Sequence, residues 1–220
     1  MIKSIILLFT IFTSIIQFTF QQSNSNDHQD QHIINVYNTN QSLPKNTRHL
    51  IEGYWIGSIP KSIFQIEELY NQGIRLIITV THTSPSFNKI ISKIKSLQMT
   101  HLYIPIGSRF PSLTQEQISI IESYNPNQIF VHCEHGSDRS GTFIAYLLIK
   151  YHNYSIPSAL LSVVSRNKKD ISLLKDLLHK HSIPISDDDI AYTSIYAGKG
   201  GLKLRGDSYQ RLVETMIDHL

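Results

Sequence analysis

Apolar and polar positions divide the chain into three stretches. From Ile5 to Phe20 the residues are mostly Ile, Leu and Phe, interrupted by Thr10, Thr13, Ser14 and Gln17, behind a start whose one charge is Lys3. A short positive start and an apolar run outline a secretory signal. The run falls short of the roughly 20 apolar residues of a spanning helix. Residues 1–20 read as a cleaved export signal, which places the protein outside the cytosol. The alternative is a retained membrane anchor over residues 4–20. Residues 21–48 are dominated by Gln, Asn, Ser and His. Such a composition buries too little apolar surface to offset chain entropy and reads as a disordered polar linker. The folded domain is expected over residues 49–220.

Within that domain two periods alternate. The pattern predicts a strand over His49–Ile56, with Trp55 and Ile56 in the core. A helix follows over Lys61–Gln72, with Ile63, Ile66, Leu69 and Tyr70 at helical spacing and a stop at Gly73. Ile74–Thr81 is an almost unbroken β-branched run, as in a strand buried on both faces. Then come a helix over Phe87–Leu97, a strand over Met99–Ile106, a helix over Thr114–Tyr124 and a strand over Gln128–His132. The helix over Ser140–Tyr151 is apolar nearly all round, which predicts a central position. Three further helices are predicted at Ser158–Ser165, Ile171–His181 and Ser208–Leu220. Strands alternating with helices predict an α/β fold, with a central, mostly parallel sheet flanked by helices and a helical C-terminal end. Its working site is expected at the carboxyl ends of the strands.

Composition narrows the chemistry. The chain has 220 residues, a formal net charge of +3 and one cysteine. One cysteine excludes a disulfide scaffold and a multi-cysteine zinc site. Twenty Lys and Arg against 17 Asp and Glu give no dense basic stripe, which excludes nucleic acid as the expected partner. The eleven histidines show no metal-ligand spacing. Neither a metal nor a cofactor is expected, and the protein is expected to be a monomer.

The lone cysteine sits in Val131-His132-Cys133-Glu134-His135-Gly136-Ser137-Asp138-Arg139-Ser140-Gly141. A strand runs into a tight loop, and a helix starts directly after it. Loop amides followed by a helix N-terminus form an anion site, because unpaired N–H groups and the helix dipole point at it. The same field favours a thiolate at Cys133. Arg139 carries a planar fork able to hold two phosphoryl oxygens. Gly136 lets the loop curl. The plain alternative, a buried core cysteine, does not explain the loop around it.

The H-C-x-x-G-x-x-R-S run resembles the signature loop of the cysteine-dependent protein tyrosine and dual-specificity phosphatases. The likeness extends over roughly Gly53 to Arg166. It implies that Cys133 attacks phosphorus and forms a cysteinyl-phosphate. Arg139 and the loop amides, with Glu134, His135, Gly136 and Ser137 as the loop's substrate-facing residues, would bind the phosphoryl group and its transition state. Ser140 would hydrogen-bond the sulfur, and His132 would orient the loop and hold the thiolate. The substrates expected are phosphotyrosine or mixed phosphoproteins, with phosphoinositides or small phosphate esters second. A phosphate-binding module without turnover is the reading from another class.

The chain departs from that pattern at the general acid. Such phosphatases carry an aspartate on an upstream loop, but Tyr103-Ile104-Pro105-Ile106-Gly107-Ser108-Arg109-Phe110-Pro111 has none. No aspartate lies between Asp30 and Asp138. Two readings of Asp138 stand side by side: the substitute acid, and a cap or pairing residue at the helix start. Glu116 is a weaker candidate, read first as a solvated first-turn glutamate. Arg109 is read as a residue meeting the substrate from above, or as a surface arginine. Tyr54, Tyr103 and Phe110 are candidates for a pocket wall, or for core. Arg166, Lys168 and Lys169 read as a solvated turn, and Asp187 to Asp189 as a charged helix start rather than a cation loop. Ala197-Gly198-Lys199-Gly200-Gly201 lacks phosphate-loop spacing, and Asn40-Gln41-Ser42 and Asn153-Tyr154-Ser155 match the glycosylation acceptor pattern.

Overall fold

The computed structural model of the protein describes residues 43–165, 167–186, 189 and 200–220. The export signal or anchor over 1–20, the linker as far as residue 42 with its Asn40-Gln41-Ser42 pattern, Arg166, Asp187, Asp188 and residues 197–199 lie outside them. No helix among the described residues is long and apolar enough to cross a membrane.

Five strands form one sheet: β1 (Arg48–His49), β2 (Trp55–Ser58), β3 (Leu76–Thr79), β4 (Thr100–Tyr103) and β5 (Ile129–Cys133), in the order β1-β2-β5-β3-β4. Only β1, paired with β2, is antiparallel. The described helices are α1 (Ile63–Asn71), α2 (Asn88–Ser96), α3 (Gln115–Glu122), α4 (Asp138–His152), α5 (Ile156–Val163), α6 (Lys168–Lys180) and α7 (Asp207–Ile217). The α/β fold with a mostly parallel sheet and a helical C-terminal end is as expected.

Local chemistry explains most element ends. Ser62 caps α1 by accepting from the Gln65 N–H, and Gly73 leaves the helix at φ +90°. Thr114 and Gln117 form a capping box that starts α3. Leu76, Ile77 and Ile78 of β3 are fully buried. Each such side chain contributes roughly 1.5–3 kcal/mol by leaving water. Every residue from Ser140 to Leu148 of α4 is buried, because β5, α5 and α7 surround it.

Two expectations are corrected. The strand predicted over His49–Ile56 is two strands, because a 3-10 turn at Ile51–Gly53, with Glu52 at φ 60° and Gly53 at φ +92°, reverses the chain between β1 and β2. Residues 43–48, read as linker, belong to the folded domain. The Leu43 carbonyl accepts from Gln65 Nε2 at 3.2 Å, and the Lys45 carbonyl accepts from the Ser58 N–H at 2.8 Å. Arg48 is buried and pairs with Ile56 across the β1–β2 ladder. Polar residues anchored through the main chain leave no hydrophobic period to read.

A segment after residue 199 crosses back to the central helix. Leu202 donates its N–H to the Val163 carbonyl at 2.7 Å, and its carbonyl accepts from the Ser165 N–H at 2.9 Å. Buried Asp170 accepts the Ser165 hydroxyl at 2.5 Å and lies 3.5 Å from Arg205 Nε. The Leu202 Cβ sits so close to α4 that a Cβ on Gly141 would meet it at 3.3 Å.

Candidate active site

The register of the sheet places the cysteine. Cys133 ends β5 opposite Ser58 of β2, and His132 pairs with Thr79 of β3. The nucleophile candidate therefore lies between the carboxyl ends of two parallel strands, where ligands bind in such sheets. Cys133 is buried, and its Sγ lies 3.3 Å from the hydroxyl of Ser140 in the first turn of α4. The helix begins at Asp138, two residues before the predicted start, so its N-terminal amides join the loop directly.

The loop itself is held from behind. Asn46 Nδ2 donates to the His135 carbonyl at 2.8 Å, and Arg48 Nη1 donates to the Gly136 carbonyl at 3.0 Å. In a planar trans peptide the following N–H points opposite to the carbonyl. Tying these two carbonyls back turns the N–H groups of Gly136 and Ser137 the other way, as an anion cradle requires. Gly136 has φ +69° and rests on the backbone of Gly57 and Ser58. Arg48→Ala should cost about 1.5–3 kcal/mol of unfolding free energy, the value of a charge-assisted hydrogen bond, read from a denaturant titration.

The flanking side chains have distinct partners. Arg139 Nη1 donates to the hydroxyl of buried Thr81, just past the end of β3, at 2.7 Å, and leaves the other donors of its fork for an anion. Ser137 Oγ lies 2.6 Å from the Gly201 carbonyl and 3.0 Å from Asp138 Oδ1. A hydroxyl has one proton, and the shorter contact goes to Gly201. Asp138 Oδ1 accepts the Lys203 N–H at 2.7 Å, and burial first, then the nearby Asp138 carboxylate, push Tyr209 of α7 up. The loop is thus fastened on one side to residues 46–48 and on the other to residues 201–203.

His132 is fully buried, and its Nε2 lies 2.8 Å from the Thr79 hydroxyl, which also lies 2.8 Å from His101 Nε2. Burial first, and then the nearby His101, push His132 down to about 3, partly opposed by the Cys133 backbone. The imidazole is therefore neutral near pH 7. A neutral imidazole offers a thiolate at Cys133 no positive charge, so the expected role of His132 narrows to orienting the loop.

The other predicted residues separate. Glu134 and His135 are exposed on the loop. Arg109 is exposed and makes no hydrogen bond or ion pair among the described residues. Its neighbour Phe110 is core, packed on Phe143, Tyr146 and His219. Tyr54 is also core, with its hydroxyl 3.1 Å from His152 at the far end of α4. Neither is a pocket wall. Tyr103 is exposed at the end of β4, and Glu116 is exposed in the first turn of α3. Asp189 accepts hydroxyls from Ser155 and Ser158 at the start of α5, which hold its carboxyl low against the opposing effect of burial. Among the described residues, no group of three or more His, Cys, Asp or Glu is arranged to hold a metal ion.

A cleft of about 700 Å³ opens beside the loop, bounded on the loop side by Glu134. Ile59, which follows β2, and His82, which follows Thr81, place it at the same ends of the strands as Cys133. Phe87 and Ile90 add apolar wall, and Lys61 and Lys89 line it as well. Sequence reasoning missed this wall, together with Asn46, Arg48, Thr81 and Tyr209. For Thr79 and Thr81 a signal was present: two hydroxyls closing an otherwise apolar strand.

Comparison with known proteins adds to this geometry. No curated protein matches the chain. Solved structures that resemble it include PTPMT1, at 16% identity over 79% of this chain and 95% of that one, with a TM-score of 0.46. The catalytic domain of the inositol pyrophosphate phosphatase Siw14 from S. cerevisiae has 15% identity over 70% of this chain and 86% of its own, with a TM-score of 0.42. TpbA of P. aeruginosa has 14% identity over 72% and 86%, with a TM-score of 0.39. Likeness at that level leaves the assignment to the family match. The model of the family described as "Swiss Army Knife protein, DSP-PTPase phosphatase domain" matches residues 44–188, more than half of the chain. That span starts at the segment that fastens the loop and takes in the whole sheet and the cysteine. The chain belongs to this PTP-SAK family, within the cysteine-dependent tyrosine and dual-specificity phosphatase superfamily.

Proposed function

We propose that the protein hydrolyses phosphomonoesters in two steps through Cys133. The thiolate attacks phosphorus, the S–P bond forms as the P–O bond to the leaving group breaks, and water then cleaves the cysteinyl-phosphate to inorganic phosphate. Arg139 and the loop amides hold the equatorial oxygens as charge shifts toward them. Ser140, at 3.3 Å from the sulfur, stabilises it as the leaving group of the second step. The observation that carries this reading is the loop whose carbonyls at residues 135 and 136 are tied back by Asn46 and Arg48 directly above a strand-end cysteine. A core cysteine would need neither tie.

The leaving group decides between substrate classes. Asp138 Oδ1 faces Lys203 and is occupied, which favours the pairing reading of this residue over the acid. Without a dedicated acid, aryl esters react more readily than alkyl esters, because a phenol leaves with less help from a proton. The cleft beside Glu134 supplies an apolar wall through Ile59 and Phe87 for such a ring. The proposed substrates are accordingly phosphotyrosine or mixed phosphoproteins. Phosphoinositides or small phosphate esters are the second reading, supported by the two lysines in the cleft. Export, or anchorage through residues 4–20, belongs to the same proposal and rests on the sequence.

Asp138→Asn keeps an acceptor for Lys203 and removes the acid. It should lower aryl phosphate turnover by less than about tenfold, with alkyl and aryl esters affected alike. Removal of a true general acid would cost on the order of 10²–10⁴-fold and would fall hardest on alkyl esters. Turnover by the full chain should be inhibited by vanadate. A chain that binds phosphate or tungstate and shows no turnover would sink the enzyme reading in favour of the binding module.

A further inference from the structure

The cleft holds charges that the two-step reaction does not use. Lys61, just before α1, and Lys89, in the first turn of α2, both line it. Both are exposed, and neither makes an ion pair among the described residues. By contrast Lys93, on the same helix as Lys89, is paired with Glu67 of α1. Two unpaired ammonium groups in one concave surface lower the potential energy of an anion placed between them. The one carboxylate in the lining is Glu134, on the catalytic side.

We infer that the cleft is a docking subsite for an acidic side chain flanking the phosphorylated residue of a peptide, held by Lys61 and Lys89. This deepens the phosphoprotein reading above and rests on it. Charge count favours a carboxylate over a second phosphate. Two lysines against Glu134 leave a net of about one positive charge in the lining, which one Asp or Glu neutralises. A second phosphate would bring up to about two negative charges past Glu134. Position favours a flanking residue. The lysines line the cleft with Glu134, whereas Cys133 and Arg139, which would hold the scissile group, are not among its lining residues. An anion on the lysines is therefore a neighbour of the scissile group and not the scissile group itself. Ile59, Phe87 and Ile90 provide the apolar floor that the intervening peptide would cover.

The test uses the full chain and two phosphotyrosine peptides that differ only in having Glu or Gln at the flanking positions. The wild-type ratio of kcat/KM, acidic over neutral peptide, should be about fivefold at low salt and shrink as salt rises. The ratio should collapse towards one in Lys61→Gln/Lys89→Gln and survive in Lys61→Arg/Lys89→Arg. An absent preference in wild type overturns the inference, as does one that persists in the glutamine double variant. So does stronger lysine-dependent inhibition by a soluble inositol bisphosphate than by a phosphate-free acidic peptide. Fluorescence anisotropy of the same two peptides on Cys133→Ser protein reads the subsite without turnover. Lysine-dependent preference there, with no hydrolysis by wild type, would keep the subsite and discard the phosphatase reading. Hydrolysis of aryl phosphate with no peptide preference would do the reverse.

Discussion

Cys133→Ser should abolish hydrolysis of an aryl phosphate, lowering turnover by roughly 10⁴–10⁶-fold, the scale seen when a covalent nucleophile is removed. The substitution is nearly isosteric, and the site is buried, with Ser140 Oγ 3.3 Å from the sulfur. The variant should therefore melt within a few degrees of wild type, and the loop ties at residues 135 and 136 should persist. The cradle would still bind phosphate, because its donors are backbone amides and Arg139, none of which is touched. Loss of turnover with retained phosphate affinity separates the chemical role of the sulfur from its packing. Mass spectrometry of acid-quenched wild-type protein should show a phosphorylated chain that Cys133→Ser lacks. Residual turnover within about tenfold of wild type would mean that another group attacks phosphorus.

Gly136→Ala should be the most damaging change that touches no reactive atom. The position has φ +69°, which costs an L-residue with a Cβ about 1–2 kcal/mol. The added methyl would also overlap the Gly57 carbonyl carbon and lie 2.6 Å from Gly57 O and Ser58 N. Those atoms are backbone of a central strand and do not swing aside. With overpacking of about 1–3 kcal/mol, the total is roughly 2–5 kcal/mol of lost stability. Relief by shifting the loop would break the bond from Arg48 to the Gly136 carbonyl and misdirect the next N–H. A displacement of about 1 Å at a cradle can cost 10²-fold in rate. Denaturant melts and kcat/KM on an aryl phosphate should fall together, and wild-type values in both would refute the close approach.

The parts of this molecule that obey a period were legible, and the parts that are fastened by polar bonds were not. The β-branched run Ile74–Thr81, of which Leu76–Thr79 forms β3, the largely apolar α4, which starts two residues before its expected first residue, and the Gly73 stop each follow from local chemistry. The cysteine loop was legible because a cysteine, a glycine and an arginine share seven consecutive residues between a strand and a helix. Asn46 and Arg48 were hidden inside a run of Asn, Thr and Arg that looks solvated, yet their partners are main-chain carbonyls 89 and 88 residues away. Phe110 shows the converse failure. An aromatic residue beside a missing acid invites a role in the pocket, whereas the core made by Phe143 and Tyr146 claims it. The C-terminal helix was read as a helix, but nothing local says that Tyr209 reaches Asp138.

The two fastenings of the cysteine loop also set a timetable for the chain. Residues 46 and 48 precede the loop, whereas Gly201 and Lys203 follow their partners Ser137 and Asp138 by 64 and 65 residues. At a synthesis rate of about 5–20 residues per second, several seconds pass between making Cys133 and making the second brace of its loop. All five strands and both ties from residues 46 and 48 are made by the time α4 begins, whereas the second brace waits for residues 201 and 203. A nascent chain in that interval carries Cys133 in a loop held from one side alone. Synthesis order by itself leaves the loop with one of its two fastenings until the C-terminal segment is made.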